Sequence, residues 1–144
     1  MSLGNTLATS VLRSPLHGLM SRSLLVLTYT GRRSGTSYTL PLQYVEQDRE
    51  LCIWAGSAEE KTWWRNFETP ATVDVRLRGR NRTGKAYVID SAARRIDVLH
   101  AYLERFPYTV PSGRPKFLGS RWHPSAAELA DVAESMVMVA ITLD

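Results

Sequence analysis

Residues 30–43 read Thr-Gly-Arg-Arg-Ser-Gly-Thr-Ser-Tyr-Thr-Leu-Pro-Leu-Gln. Two adjacent arginines, Arg32 and Arg33, stand between Gly31 and Gly35. Each guanidinium is a planar fork of donors that matches the oxygens of a phosphate or carboxylate. Glycine supplies the positive φ that a sharp turn needs. Such a turn can hold an anionic group against a sheet. A solvated hairpin tip is the plain alternative, and the turn by itself does not choose between them.

Other chemistries find little support. His17, His100 and His123 are scattered, with no helical ligand spacing between any two, so no metal site is expected. No serine lies in a Gly-x-Ser-x-Gly elbow, which speaks against a hydrolase. Cys52 is the single cysteine, which excludes an intrachain disulfide and a two-cysteine redox motif. It sits in the apolar run Leu51-Cys52-Ile53-Trp54 and reads as a core thiol. The net charge of +4 favours an anionic ligand, nucleic acid or an acidic membrane surface. No helix-turn-helix, ribonucleoprotein motif or zinc signature accompanies it, so nucleic acid is the weakest of these.

The elements that must position the arginine turn follow from patterning. At 144 residues, 44% hydrophobic and 22% charged, the chain reads as one globular domain over 1–144. Residues 5–20 read as a helix capped by Asn5 and interrupted at Pro15. It packs on the domain in the favoured reading, and a peripheral membrane contact is the other. Strands are expected at 24–29, at 38–45 with a break at Pro41, and at 50–55, close enough in sequence for an antiparallel meander. Ser57-Ala58-Glu59-Glu60 has the form of a capping box and predicts a helix over about 58–68, ended by Thr69-Pro70. Val73, Val75 and Leu77 alternate with Asp74 and Arg76 in a fourth strand. A turn over 79–82 leads to a fifth strand at 83–89. A helix is expected over 91–105 with Ile96, Leu99 and Leu103 inward, then a long loop over 107–124, a helix over 125–133 and a last strand over 137–143. Six mostly sequential strands need closure to remove their edges, which predicts a small antiparallel barrel with packed helices. No run of about 18 apolar residues is present, and no basic region followed by an apolar run opens the chain, so a cytoplasmic protein is expected.

Gly31-Arg32-Arg33-Ser34-Gly35, then Pro41-Leu42, then Gly56-Ser57, then Trp63-Trp64-Arg65-Asn66-Phe67 form an ordered set. In this set the chain resembles the deazaflavin-dependent nitroreductase and quinone reductase family over roughly residues 24–89. That resemblance implies a mainly β fold, a six-stranded antiparallel split β-barrel like that of the pyridoxamine phosphate oxidases. It implies binding of the deazaflavin coenzyme F420 and transfer of its hydride to a quinone, nitroaromatic or enone. It also places residues. Arg32, Arg33 and Ser34 match the loop that holds the coenzyme's phosphate. Pro41 and Leu42 match the strand beside the ring system. Gly56 and Ser57 match the contact after the third strand, and Trp63 and Asn66 the helix bordering the groove. Two departures stand out: Thr36, Ser37 and Tyr38 replace a basic residue common in relatives, and Glu59 and Glu60 stand where members often have glycines.

In this reading the coenzyme does the hydride chemistry while the protein binds, orients and excludes water. Its tail is a phosphodiester followed by glutamates, which Lys61, Arg65 and the cations between Arg76 and Lys85 could meet. Trp63 and Trp64 are adjacent and cannot point the same way. One of them anchors the helix and the other borders the ring pocket. Tyr108 and Phe106 could reach the substrate side from the loop, and Tyr108 is the candidate to orient or protonate the acceptor. A barrel that binds FMN instead, and a binding module without turnover, are the alternatives. A homodimer is compatible with the fold.

Overall fold

A computed structural model describes residues 24–56, 58, 60–106 and 123–144. The residues read as an N-terminal helix, most of the 107–124 loop, Ser57 and Tyr108 lie outside these. Seven strands form one antiparallel sheet: β1 (Leu24–Thr30), β2 (Ser37–Gln43), β3 (Val45–Gln47), β4 (Glu50–Trp54), β5 (Ala71–Leu77), β6 (Arg80–Val88) and β7 (Met138–Leu143). Among the described residues two helices accompany it, α1 (Ala92–Arg105) and α2 (Ala126–Ser135), with a short 3-10 helix at Trp63–Phe67. The sheet order is β2-β1-β5-β6-β7-β4-β3. Its two ends, β2 and β3, are separated in sequence by Tyr44 alone. The sheet must therefore curl until its edges meet there, and the curl encloses a core.

Seven strands replace the expected six because the second strand divides. The division falls at Tyr44 and not at Pro41, which pairs with Val26 inside β2. β2 is an edge strand, where a residue without an N–H is tolerated. The break has a visible cause. The Tyr102 hydroxyl, from α1, donates toward the Gln43 carbonyl at 2.9 Å and the Cys52 carbonyl at 3.3 Å and accepts from the Trp54 N–H at 2.9 Å. A helix side chain thus takes up backbone groups where the strand bends.

Alternation sorts the side chains into two cores. Leu25, Leu27 and Tyr29 of β1 face the barrel interior with Val73, Val75 and Leu77 of β5, and Leu40 and Leu42 pack against them. On the outer face, Val45, Cys52, Met138 and Ala140 lie under the helices, against Val98, Leu99, Tyr102 and Ala133. The inward stripe of α1 is therefore Val98, Leu99 and Tyr102, while Ile96 and Leu103 are only partly buried. Burial pushes the Cys52 thiol up to about 11, against an opposing pull from Arg94, so it stays protonated at neutral pH.

Two further boundaries moved for physical reasons. The β5–β6 connection is the two-residue turn Arg78-Gly79, at φ 49° and 77°, with Leu77 paired to Arg80. Positive φ at both central residues matches the twist of the flanking strands, so β6 begins earlier than expected. The helix expected over 58–68 shrinks to Trp63–Phe67. The Trp64 indole N–H lies 3.0 Å from the Ala58 carbonyl and 2.8 Å from the Lys61 carbonyl, acceptors that a continuous α-helix would use for its own amides. The Arg65 N–H bonds the Thr62 carbonyl instead, at 3.0 Å. No helix among the described residues is long and apolar enough to cross a membrane.

Candidate active site

The β1–β2 connection is built by its glycines. The Gly35 N–H closes on the Gly31 carbonyl at 2.9 Å, one helical turn that Gly35 ends at φ 69°. The Gly31 N–H then bonds the Thr36 carbonyl at 2.8 Å and returns the chain to β2. Arg32, Arg33 and Ser34 are carried on this turn.

Asn66 ties the turn to the 3-10 helix. Its Oδ1 accepts from the Arg32 backbone N–H at 2.8 Å, and its Nδ2 donates to the Trp63 carbonyl at 2.8 Å. One side chain thus joins residues 34 positions apart in sequence. Between the turn and the helix lies an open groove of about 740 Å³. A volume of that size suits a cofactor.

Of the residues singled out in the sequence, Arg32, Arg33, Ser34, Lys61, Trp63 and Asn66 line this groove together. Pro41, Leu42, Gly56 and Trp64 do not line it. Pro41 lies on the sheet face opposite Leu40, Leu42 packs toward the barrel interior, and a β-carbon at Gly56 would meet nothing within 4 Å. Trp64 holds the 58–61 segment through its indole N–H, with the Arg65 guanidinium 4.7 Å above its ring. Trp63 packs edge-on against Phe67, with centroids 6.2 Å apart. Ser57 and Tyr108 lie outside the described residues.

Sequence reasoning missed an aromatic wall. Tyr29 and Tyr38 line the groove and stack at 5.5 Å with planes 27° apart, and Phe67 meets Tyr29 edge-on at 5.5 Å. The alternation that puts Leu25, Leu27 and Tyr29 on one face, paired across the hairpin with Leu42, Leu40 and Tyr38, was the available signal. Burial and the neighbouring Tyr38 push the Tyr29 phenol above its usual range, so it remains a neutral donor.

The cations of the groove differ in commitment. Arg32 faces Glu68 at 3.5 Å, with both side chains nearly half exposed. Among the described residues, Arg33 and Lys61 have no carboxylate within ion-pair distance. Glu60 also lines the groove and opposes them in part.

A profile described as F420H(2)-dependent quinone reductase matches residues 12–110. The chain belongs to this family. It is thus an F420-dependent oxidoreductase, and the groove fits that coenzyme in size, in its uncommitted cations and in its aromatic wall. No curated protein sequence matches the chain. Among solved structures, one described as an F420-H2 dependent reductase, FDR-A, is 19% identical, covering 85% of this chain and 95% of its own, with a TM-score of 0.55. A Listeria innocua protein assigned as a pyridoxamine 5'-phosphate oxidase is 12% identical, covering 96% and 94%, with a TM-score of 0.54. A structure described as a domain-swapped dimer is 19% identical, covering 85% and 81%, with a TM-score of 0.55. At these identities the likeness establishes the fold, a split β-barrel, that this member of the quinone reductase family shares with them.

Proposed function

We propose that the chain reduces a quinone with F420H2, nitroaromatics and enones being acceptors of the same electron-poor class. The observation that carries this reading is the groove between the arginine turn and Trp63, where Arg33 and Lys61 stand uncommitted among the described residues beside stacked tyrosines. Bound there, the reduced coenzyme supplies a hydride. Arg33 and Ser34, with Arg32 as far as Glu68 leaves it free, hold the phosphodiester. Lys61 and Arg65 meet the glutamates of the tail. Trp63 and Tyr29 border the ring and exclude water from one side of it. The acceptor takes up the hydride and one proton, so that a quinone leaves as a hydroquinone. Tyr108 orients that acceptor or gives the proton, a role supported by the sequence alone.

The test begins with equilibrium titration of the protein with F420, followed by stopped-flow oxidation of F420H2 by a simple benzoquinone, a nitroaromatic and an enone. Micromolar binding and fastest turnover of the quinone are expected. Failure to bind F420 while FMN co-purifies would replace the coenzyme, and binding without turnover of any acceptor would leave a carrier. The domain-swapped neighbour supports a homodimer, which light scattering on the eluted protein would detect at twice the chain mass.

A further inference from the structure

We propose that the hydroxyls of Ser34 and Tyr38 form a two-donor clip which, beside Arg33, matches a monoanionic phosphodiester in preference to a dianionic phosphate monoester. This rests on the groove being the F420 site and adds a residue, Tyr38, whose hydroxyl opens into that groove.

The two hydroxyl oxygens are 3.4 Å apart, longer than an ordinary O–H···O bond of about 2.7 Å. Neither is fully committed to the other. The Ser34 Oγ already accepts from the Thr36 N–H at 3.1 Å, which leaves its proton to donate. Two donors at that separation can both reach a single oxygen at ordinary hydrogen-bond distance. Both residues line the groove with Arg33. The Tyr38 ring is placed by its stack on Tyr29, yet the residue is 43% exposed, more than any other large hydrophobic in the described chain. An open, well-positioned phenol is what a ligand contact requires.

Gly31 keeps the clip together. A β-carbon there would come within 2.9 Å of both the Ser34 Oγ and the Tyr38 Cε2. The residue that frames the arginine turn also makes room for the two hydroxyl-bearing side chains.

Charge sets the selectivity. Within the turn, Glu68 faces Arg32 and Arg33 is uncommitted among the described residues, so the turn itself offers little more than one positive charge with neutral donors beside it, while Lys61 and Arg65 lie on the 3-10 helix side of the groove with Glu60. A phosphodiester carries one negative charge. A phosphate monoester, with a second ionisation near pH 6, carries nearly two at neutral pH. The second charge of the monoester finds only the neutral hydroxyls of Ser34 and Tyr38 on the turn side of the groove.

The test is fluorescence titration of the full chain with F420, with the deazaflavin riboside that lacks the phosphate, and with FMN. Tyr38→Phe keeps the ring stack and removes only the hydroxyl. It should weaken F420 about tenfold and leave the riboside within about twofold, the loss expected for a hydrogen bond to a charged group. Gly31→Ala should show the same selective loss. Tyr38→Arg should shift the preference between F420 and FMN toward FMN. Thermal melting of each variant confirms that it folds. Unchanged F420 binding by Tyr38→Phe overturns the clip, as does an equal loss of F420 and riboside. An unchanged preference in Tyr38→Arg overturns the charge match. If the parent binds the riboside and F420 equally, the phosphate seat fails while the ring site stands. If it binds neither, the coenzyme reading itself falls and the clip with it.

Discussion

Arginine serves two opposite purposes at the two ends of this barrel. At one end, the Gly31–Gly35 turn presents Arg32 and Arg33. Arg32 meets Glu68 only at 3.5 Å, and Arg33 has no carboxylate in range among the described residues. At the other end, the Arg78-Gly79 turn presents Arg78 to Glu46 at 2.6 Å. The second turn completes its charge within the protein, and the first leaves it available. Backbone investment runs the other way. The first turn is cross-tied to the 3-10 helix by Asn66, whereas the second is a bare two-residue hairpin. A turn whose backbone is held in place while its cations stay open is organised for a ligand.

The comparison breaks most directly by removing cations. Arg32→Ala with Arg33→Ala should raise the F420 dissociation constant about a hundredfold, because each charge-assisted bond is worth roughly 1.5–3 kcal/mol. Arg78→Ala should leave it within about twofold. Added salt should weaken the parent and affect the double variant less. Equal losses at both turns in the titration would mean that the protein's general positive field, and not the groove, attracts the coenzyme.

Asn66 offers the next largest effect. Asn66→Ala removes both ties, and each is worth about 0.5–1.5 kcal/mol net. We expect a loss of about 1–2 kcal/mol in urea unfolding and an F420 affinity lower by about tenfold. Asn66→Asp keeps the acceptor for the Arg32 N–H and gives up the donor to the Trp63 carbonyl. Its stability should fall between parent and alanine. If Asn66→Ala matches the parent in affinity, the turn keeps its shape unaided and the cross-tie is idle.

Glu68→Gln sharpens the contrast by freeing Arg32. The pair is exposed and long, so the gain is small, about twofold tighter F420 binding. Glu46→Gln at the other end should change affinity not at all. A loss on Glu68→Gln would show that Glu68 positions Arg32 rather than competing for it.

Local patterning made much of this molecule legible. The alternation of Val73, Val75 and Leu77 gave a strand with the correct inner face. Both helix starts were legible to within a residue, and in the structure Ser91 and Ser125 each accept from the backbone three residues on. The arginine turn was legible because two glycines framed it. What stayed hidden depends on partners distant in sequence. Tyr102 claims the Gln43 carbonyl across 59 positions and divides the strand at Tyr44, where its own sequence puts the break at Pro41. The Trp64 indole claims two carbonyls and shortens a helix that its capping residues predict. Asn66 reads as a ligand contact, yet its side-chain oxygen and nitrogen both bond backbone groups of the protein. Tyr38 reads as one strand residue among others until the hairpin register sets it against Tyr29.

The smallest effect comes from reshaping the second turn. Arg78 holds φ 49°, a left-handed conformation that costs a residue with a β-carbon about 1–2 kcal/mol and asparagine less. Asn-Gly is also the preferred pair for this hairpin turn. Against that relief, Arg78→Asn gives up the interaction with the Tyr44 hydroxyl and the pair with Glu46. The two side chains are 61% and 51% exposed, so the pair is worth no more than about 1 kcal/mol. The terms nearly cancel, and the urea midpoint should shift by less than the equivalent of about 0.5 kcal/mol, with F420 affinity unchanged. A larger loss of stability would mean that the Arg78–Glu46 pair organises its end of the barrel. The two turns would then differ in what their arginines hold, a strand edge at one end and a coenzyme at the other, rather than in whether they hold anything.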